Sequence, residues 1–592
     1  MAYCLWAIVT LLPLILAPQL LFFYDVTPKI FVLLIGAAIA LFLTLREPRA
    51  KSPALRLFGI LLAAQAVWLV VATAFSKDVA LSFGGGGWRR FGLVSQVAVL
   101  LVAWIAAQYT AGRTDRVRHL LRAIAAAGIL AALYGIAQYF GWDPLLDARA
   151  YHIGEPPLTI VRPPSTLGYV SYFATYLLSV IFAGVALALL EKSPAWKIVG
   201  AAAGLLGTVA LILTGTRAAM LALFAGVLVL AFWLRSRIRA RTVAAAGLAA
   251  LALFTGFYFS PAGQLLRNRT LWFLGEPAGG SRLLLWRDSI RMAAARWLVG
   301  FGPETFSIWF PHYQSAELAR QYPTFYQESP HNIFLDVLVD QGLPSALILV
   351  AMTAMGFYAA WKARDAILAG SLASALAALV VSQQFTAFTV PTAVFFYLTI
   401  AMLVAQAFAP VRLPPSPPRV PRVAGAALLA AVLVGFALTL VYADAALARV
   451  ARLIQAGDTG EAATVYHQVE RWGPPGMRTE LWYSRTMVGA GAFRQGLEAA
   501  FRAAQCAEDR ENAWLNLAVL YGRQNDAAHA IESLQSAIAS APNWYKPHWL
   551  LAQVLWMEGR KGEACTEAGL AVDRNGRQNP EVARTAAEFC NR

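Results

Sequence analysis

Long apolar runs separated by short polar loops fill the first three quarters of the chain. Thirteen runs have 16 residues or more, close to the roughly 20 apolar residues that a helix needs to span a bilayer. They cover residues 4–22, 29–45, 57–75, 93–109, 120–140, 169–190, 197–213, 218–234, 242–259, 333–360, 366–385, 391–408 and 424–441. The pattern predicts an all-α fold, a polytopic bundle of about 12–13 transmembrane helices. The first run has no basic segment before it and no small-residue cleavage site, so we interpret it as a retained helix.

The composition agrees with a membrane protein. Apolar residues make up 58% of the chain and charged residues 14%, against roughly 45–50% and about 25% in soluble domains. A soluble enzyme is therefore excluded. The net charge of +16 has three explanations: nucleic-acid binding, a cytoplasmic charge bias from membrane insertion, or an anionic ligand. Residues 1–441 carry 33 basic and 16 acidic residues, whereas residues 442–592 carry 16 and 17. The excess lies in the membrane part, and no nucleic acid is expected as a partner.

The basic residues also predict the orientation, because lysine and arginine near span ends are retained in the cytoplasm. Every second loop is basic, and six such loops hold 18 of the 33 basic residues of the membrane part. These loops contain Arg46, Arg49, Lys51 and Arg56, then Arg113, Arg116 and Arg118, then Lys192 and Lys197, then Arg235, Arg237, Arg239 and Arg241, then Lys362 and Arg364, then Arg412, Arg419 and Arg422. We expect a multi-pass protein of the cytoplasmic (inner) membrane with a cytoplasmic N-terminus. With an odd number of spans, residues 442–592 are extracytoplasmic.

Several arginines lie on the outer side, where membrane insertion gives no reason for them. They are Arg89, Arg90, Arg162, Arg217 and seven arginines between residues 260 and 330. An anionic ligand at the outer membrane surface would explain them. Pairing with acidic residues or lipid phosphates is the alternative for each one.

Two outer segments, 141–168 and 260–330, are too long to be simple turns, and long loops in compact proteins are usually functional or disordered. The second contains a predicted helix from Ser281 to Trp297. At about 100° per residue, Trp286, Ile290, Ala293 and Trp297 share one face. Tryptophan and arginine both favour the lipid interface, so this helix is expected to lie in the plane of the membrane surface.

The last part of the chain has a period of 34 residues. A Pro-rich cytoplasmic linker at 411–423 and a final span at 424–441 precede it. Within residues 442–592, small residues recur in one register: Ala462, Gly496, Ala530 and Ala564. This period and pattern predict a tetratricopeptide-type α-solenoid. Such a domain would bind a protein partner or serve as a structural cap.

The four cysteines indicate little. Cys565 and Cys590 could form a bridge in an oxidising compartment, but buried small apolar residues are the favoured interpretation. No cysteine spacing suits a metal.

Candidate chemistry collects at the outer side. The chain has no Walker loop, no dinucleotide fingerprint and no HExxH motif, so the substrate is expected to be pre-activated. His331 precedes an apolar run, where a neutral imidazole could accept a hydroxyl proton or could simply be interfacial. Arg162, Arg217 and Arg282 lie at outer helix ends and could together hold a pyrophosphate.

The order of these motifs resembles the bacterial O-antigen ligase and polymerase family over roughly residues 80–410. The motifs are an arginine in a Pro/Gly-rich loop before a span, Thr214-Gly215-Thr216-Arg217, Ser281-Arg282, Gly300-Phe301-Gly302 with Phe306, His331-Asn332 and Gly342. Tyr24-Asp25, Pro28-Lys29 and Arg89-Arg90-Phe91-Gly92-Leu93 look like early features of members that carry C-terminal repeats. One motif departs, because Thr216-Arg217-Ala218 stands where the family has Ser-Arg-Gly, although the arginine is intact.

This resemblance implies a membrane glycosyltransferase, metal-independent and without a cofactor. It would move a glycan from an undecaprenyl-diphosphate carrier to a hydroxyl of a glycolipid, a growing glycan or a protein, as in lipopolysaccharide biosynthesis or protein glycosylation. His331 would activate the acceptor, and Arg217 and Arg282, with Arg162 and Arg89, would bind the diphosphate. A glycan polymerase is the near alternative. A transporter and a non-catalytic assembly scaffold are the alternatives from other classes. The span interiors look nearly free of charge, which argues against transport.

Overall fold

The computed structural model describes residues 1–154, 159–235, 240–274, 280–323, 326–413, 420–575 and 579–591. Within this part of the chain, nine helices are long and apolar enough to cross a membrane. They are α2 (Thr27–Thr44), α3 (Pro53–Ala74), α5 (Leu93–Thr110), α6 (Thr114–Tyr139), α7 (Val170–Leu190), α8 (Pro194–Leu213), α9 (Arg217–Leu234), α15 (Ile333–Lys362) and α18 (Val420–Gln455). The all-helical membrane architecture agrees with the prediction.

Three shorter apolar helices accompany them: α1 (Ala2–Leu11), α16 (Ala366–Ser382) and α17 (Val390–Gln406). The predicted span 4–22 is wrong as one continuous helix, because α1 has only ten residues and is about 15 Å long. Pro13 and Pro18 follow in a segment of turns, since proline disfavours a helical residue before it. The predicted span 242–259 coincides with α10 (Ala240–Phe259), whose side chains lie partly outside the described residues.

Helix α17 forms the centre of the bundle. It is buried from Val390 to Ala405 and packs against α5, α7, α15 and α16. A helix that is apolar on all sides is stable only when it is enclosed in this way.

One end of the bundle gathers the loops that were predicted to be cytoplasmic. Strand β1 (Arg49–Lys51) pairs antiparallel with β4 (Val411–Leu413), and Arg412 Nη2 donates to the carbonyl of Ala111 at 2.9 Å. The basic loop at 235–241 and the Pro-rich linker at 411–423 lie partly outside the described residues. The grouping matches the predicted sidedness, while the compartment that each end faces stays a prediction.

The opposite end carries the long loops and short elements. These are α4 (Val79–Gly84), the antiparallel strands β2 (His152–Ile153) and β3 (Ile160–Val161), α11 (Gln264–Leu274), α12 (Arg282–Ala295), α13 (Phe306–Trp309) and α14 (Ala316–Gln321).

Helix α12 is the predicted surface helix. Its buried face includes Leu285 and Met292, which pack into a small core of this loop. Of the predicted common face, Ala293 is buried, whereas Ile290 and Trp297 are exposed. The contact of that face with the lipid interface stays a prediction.

Eight helices follow α18 among the residues that the structure describes. They are α19 (Thr459–Trp472), α20 (Glu480–Gly489), α21 (Phe493–Cys506), α22 (Arg510–Arg523), α23 (Ala527–Ser540), α24 (Tyr545–Met557), α25 (Lys561–Asn575) and α26 (Pro580–Cys590). From α20 onward each helix packs against the next. The four small residues spaced by 34 positions are all buried, and a Cβ at Gly496 would come within 2.4 Å of Val488 Cγ2. Their assignment as tetratricopeptide repeats stays a prediction. We refer to residues 456–591 as the C-terminal helical domain.

Helix α18 runs without a break from the membrane part into this domain, so the boundary predicted at residue 441 falls inside one helix. At the far end, Cys565 and Cys590 form a disulfide, with their Cα atoms 4.9 Å apart. The favoured interpretation of these two cysteines as unbridged apolar residues is therefore wrong. Consecutive packing of α25 and α26 brings together two residues that are 25 positions apart.

Candidate functional site

His331 stands just before the first turn of α15, and its neighbour fixes the start of that helix. The side-chain oxygen of Asn332 accepts hydrogen bonds from the backbone N–H groups of Phe334 and Leu335 at 3.1 and 3.2 Å. Such capping satisfies donors that a helix start leaves unpaired. The Asn332 amide also donates to Gln384 Oε1 at 3.0 Å. The position of His331 is thus determined by the start of α15 and by the residues that follow the end of α16.

The backbone of His331 has a φ of +52°, a left-handed conformation that few residues other than glycine adopt. Its N–H donates to Ser329 Oγ at 3.1 Å, and Trp286 Nε1 donates to the carbonyl of Pro330 at 3.0 Å. A conformation of this kind costs on the order of 1–3 kcal/mol and persists when the surroundings impose it. The structure therefore holds His331 in a fixed orientation.

The imidazole of His331 is neutral at physiological pH. Burial lowers its pKa to about 3, and the positive charges of Arg282 and Arg89 act in the same direction. Its Nδ1 lies 3.5 Å from Ser329 Oγ, which leaves Nε2 as the nitrogen facing away from that hydroxyl. A neutral imidazole can accept a proton.

Arg217 and Arg282 are each the first residue of a helix, α9 and α12, where unpaired backbone N–H groups favour anions. Burial lowers the pKa of Arg282, the nearby Tyr169 hydroxyl raises it, and the charge of Arg217 lowers it. Arg282 is thus within electrostatic reach of both Arg217 and His331. The structure brings these three predicted residues together.

Arg162 is related to Arg282 by a shared neighbour, Tyr169. Its guanidinium lies 5.9 Å from the centre of the Tyr169 ring, and Tyr169 is also a neighbour of Arg282. Arg162 Nε and Arg282 Nη1 are buried and have no hydrogen-bond partner among the described residues. Because buried donors are nearly always paired, two such guanidinium atoms, each close to Tyr169, suit an anionic ligand with several acceptor oxygens.

Arg89 has a different environment from the other predicted arginines. It is buried, it contacts the carboxylate of Glu304, and its Nη1 lies 2.8 Å from the carboxylate of Asp336. Asp340 is 3.9 Å from its Nη2, and the carbonyl of Phe388 accepts from Nη1 at 3.3 Å. The guanidinium is surrounded by acceptors of the protein itself. We therefore do not propose Arg89 as a diphosphate ligand.

This acidic cluster does not follow from the sequence patterns, and the prediction that the span interiors are nearly free of charge is wrong for α15. Asp336 and Asp340 lie one turn apart in that helix and are buried. Two carboxylates on one face of a buried helix need a cationic partner. The pair Arg89-Arg90 in the sequence was the signal that could have identified it.

The glycine motifs belong to one contact beside the cluster. Gly342 interrupts α15 with a φ of +78°, and Leu343 N donates to the carbonyl of Trp297 at 2.7 Å. Gly302 N donates to the carbonyl of Asp340 at 2.8 Å. A Cβ at Gly300 would lie 2.4 Å from the Asp340 carbonyl. The glycines therefore allow two backbones to approach closely at a kink of α15.

Comparison with known families gives a match in the middle of the chain. Residues 201–350 match the family model described as O-Antigen ligase. The matched segment contains Arg217, Arg282 and His331, whereas Arg89 and Arg162 precede it. No curated protein matches the chain. This match agrees with the resemblance to the O-antigen ligase and polymerase family that the order of the motifs indicates.

Proposed function

We propose that the protein transfers a glycan from an undecaprenyl-diphosphate carrier to an acceptor hydroxyl at the outer face of the cytoplasmic membrane. One observation carries the proposal: Arg282 has a buried Nη1 with no partner among the described residues, its charge lowers the pKa of His331, and the charge of Arg217 lowers its own pKa. A cationic group and a neutral base thus adjoin in one place. The apolar bundle around them suits the polyprenyl part of the carrier.

The proposed reaction is a single displacement at the anomeric carbon. The acceptor oxygen attacks the anomeric carbon, and its proton passes to Nε2 of His331. The bond between that carbon and the phosphate oxygen breaks, and its electron pair leaves with the carrier diphosphate. Arg217, Arg282 and Arg162 stabilise the charge that develops on the diphosphate. Attack from the face opposite the leaving group inverts the anomeric configuration.

The binding of the donor also adjusts the base. In the free protein the pKa of His331 is low because of burial and the charges of Arg282 and Arg89. A bound diphosphate places negative charge beside Arg282, which reduces its repulsion of a proton on His331. We therefore expect the imidazole to become a stronger base when the donor is present.

The acceptor is a lipid-anchored glycan or a protein hydroxyl. A glycan polymerase would use the same donor site, so the acceptor distinguishes the two activities. The disulfide between Cys565 and Cys590 supports an oxidising compartment for the C-terminal helical domain, and hence the outer face.

The test uses purified full-length protein in lipid nanodiscs with a synthetic undecaprenyl-diphosphate oligosaccharide. A lipid A-core acceptor, a free glycan acceptor and a Ser/Thr-rich protein acceptor are compared. We expect transfer to one acceptor class by the wild type, and a loss of about a hundredfold or more for His331→Ala. Arg291→Ala is the control, because Arg291 is an exposed residue of α12. Full transfer by a properly inserted His331→Ala protein would refute the role of this residue.

A further inference from the structure

The C-terminal helical domain reaches into the membrane part at one glycine loop. We call residues 84–87 the glycine loop, which joins α4 to the buried pair Arg89-Arg90. A Cβ at Gly84 would lie 1.9 Å from the carbonyl oxygen of Pro475, and a Cβ at Gly476 would lie 2.8 Å from the carbonyl oxygen of Ala80. Backbone therefore packs directly on backbone between the two parts of the chain.

Glu508 makes the central contact of this interface. Its carboxylate accepts a hydrogen bond from the backbone N–H of Gly87 at 3.1 Å, and a Cβ at Gly86 would lie 2.6 Å from Glu508 Oε2. On its other side, the N–H of Gly86 donates to Glu304 Oε2 at 3.1 Å. The glycine loop is thus held between one carboxylate of the C-terminal helical domain and one carboxylate of the outer loop.

Arg90 connects the same groups electrostatically. It is fully buried, it lies over the ring of Phe23 at 5.2 Å, and its Nη1 donates to the carbonyl of Gly85 at 3.4 Å. Burial lowers its pKa, while the carboxylates of Asp444, Glu508 and Glu304 raise it. Further charged contacts secure the interface, including Arg478 with Asp78 at 3.1 Å.

A short chain of contacts leads from this loop to His331. Glu304 and Asp336 both pair with Arg89. The N–H of Asp336 donates to the carbonyl of Asn332 at 2.7 Å, in the first turn of α15. A displacement of the glycine loop would therefore move Arg89 and the helix start that presents His331.

We propose that the C-terminal helical domain is a fixed part of the transfer site and that Glu508 is a positioning residue for His331. The role of His331 in this statement rests on the proposed function. Glu508 holds the glycine loop, and this loop leads directly to Arg89 and its carboxylate partners. The domain is therefore part of the site and more than a module for recruiting partners.

Two conservative variants of Glu508 separate the effect of side-chain length from the effect of charge. Glu508→Gln keeps the chain length and an acceptor oxygen for Gly87. Burial raises the pKa of Glu508 to about 7, so the neutral side chain is one of the two forms that the wild type populates near neutral pH. Glu508→Asp keeps the charge but is shorter by one methylene and loses the contact. We expect Glu508→Gln to transfer within about threefold of the wild type and Glu508→Asp to lose about tenfold or more, since misplacement of about 1 Å can cost a hundredfold.

A second readout does not depend on transfer. Diethyl pyrocarbonate modifies neutral imidazole, and mass spectrometry can follow the peptide that contains His331 between pH 5 and 8. The wild-type rate constant, after correction for the reagent, is expected to be flat in this range because the pKa lies near 3. In Glu508→Asp and Glu508→Ala, movement of Arg89 and entry of water raise the pKa, and the rate falls toward pH 5. Glu532→Ala, at an exposed residue of α23, is the control.

The outcomes separate the two proposals. If the wild type transfers no glycan but the Glu508 variants change the His331 profile, the proposed function fails and the positioning role stands. If Glu508→Asp transfers normally with a flat profile, or if it loses activity with a flat profile, the positioning role is wrong. Should Glu508→Ala fail to fold, the comparison of the Asp and Gln variants still decides.

Discussion

Arg89 and Asp336 form an ion pair at 2.8 Å in the interior of the protein, and both side chains are almost fully buried. Glu304 contacts the same guanidinium, and Asp340 lies 3.9 Å from it. Burial disfavours every one of these charges, so each depends on its partners. The pair joins the loop before α5 to the first turns of α15, beside His331.

Removal of the cation should therefore destabilise the fold. We expect Arg89→Gln to lower the free energy of unfolding by about 3–5 kcal/mol, because it leaves buried carboxylates without a partner. The double variant Arg89→Gln/Asp336→Asn removes one of those charges and should recover part of the loss. Thermal transitions in detergent solution measure both. A single variant with the wild-type transition temperature would contradict this role.

This pair also shows where sequence analysis succeeds and where it fails. The helices of the bundle follow from the length and hydropathy of local runs, which do not depend on distant residues. Arg89 and Asp336 are 247 positions apart, and nothing local assigns them to each other. The sequence therefore predicts Arg89 as a diphosphate ligand, whereas in the structure its guanidinium pairs with carboxylates of the protein itself.

Two other differences have the same origin. The tryptophan pattern of α12 does not predict its buried face. That face is formed by Leu285 and Met292, which pack in one core with Phe306. The disulfide needed the antiparallel contact of α25 and α26, which spacing alone does not reveal. By contrast, Arg217 and Arg282 each begin a helix at the predicted outer end and His331 stands just before one, so the sequence could place all three at the same surface.

The donor site should distinguish arginine from lysine. Lysine cannot make the paired hydrogen bonds of a guanidinium, so we expect Arg282→Lys to bind undecaprenyl diphosphate about tenfold more weakly than the wild type. Binding to protein in nanodiscs, measured with the unglycosylated carrier, isolates this effect from transfer. Arg291→Lys, on the exposed side of the same helix, should bind normally. Equal affinity of Arg282→Lys and wild type would contradict bidentate recognition.

The C-terminal helical domain should lose stability as the pH rises. Burial raises the pKa of Glu511, and the neighbouring Asp509 carboxylate raises it further. The folded domain therefore retains a proton that the unfolded chain releases above its ordinary pKa of 4.5. This contribution is fully present below that pKa and is lost as the pH rises through the folded pKa. We expect Glu511→Gln to flatten the decline of the transition temperature between pH 5 and 9. An unchanged slope would count against a protonated Glu511.

The disulfide gives a test of both stability and location. The bridge joins α26 to α25. Phe589 of α26 also stacks on Trp556 of α24, with ring centres 4.5 Å apart. We expect Cys590→Ser to lower the stability of this helix pair by about 2–4 kcal/mol, seen as faster proteolysis near the C-terminus. In cells, alkylation before and after reduction should show Cys565 and Cys590 protected until reduction. Free thiols at both positions would contradict the extracytoplasmic placement.

The kink of α15 gives the sharpest prediction from backbone geometry. Gly342 has a φ of +78°, and a Cβ there would lie 2.1 Å from the carbonyl oxygen of Leu298. Gly342→Ala therefore combines backbone strain of about 1–3 kcal/mol with displacement of the segment 297–302, which hydrogen-bonds to the kink. We expect a lower transition temperature and reduced transfer, because that segment leads into Glu304 and the Arg89 cluster.

Gly435→Ala is the matched control: Gly435 is helical and has no atom within 4 Å of an added Cβ, so alanine should be neutral or stabilising by about 0.5–1 kcal/mol. Equal transition temperatures for the two variants would show that the kink tolerates a side chain and that the close approach at Leu298 is not required.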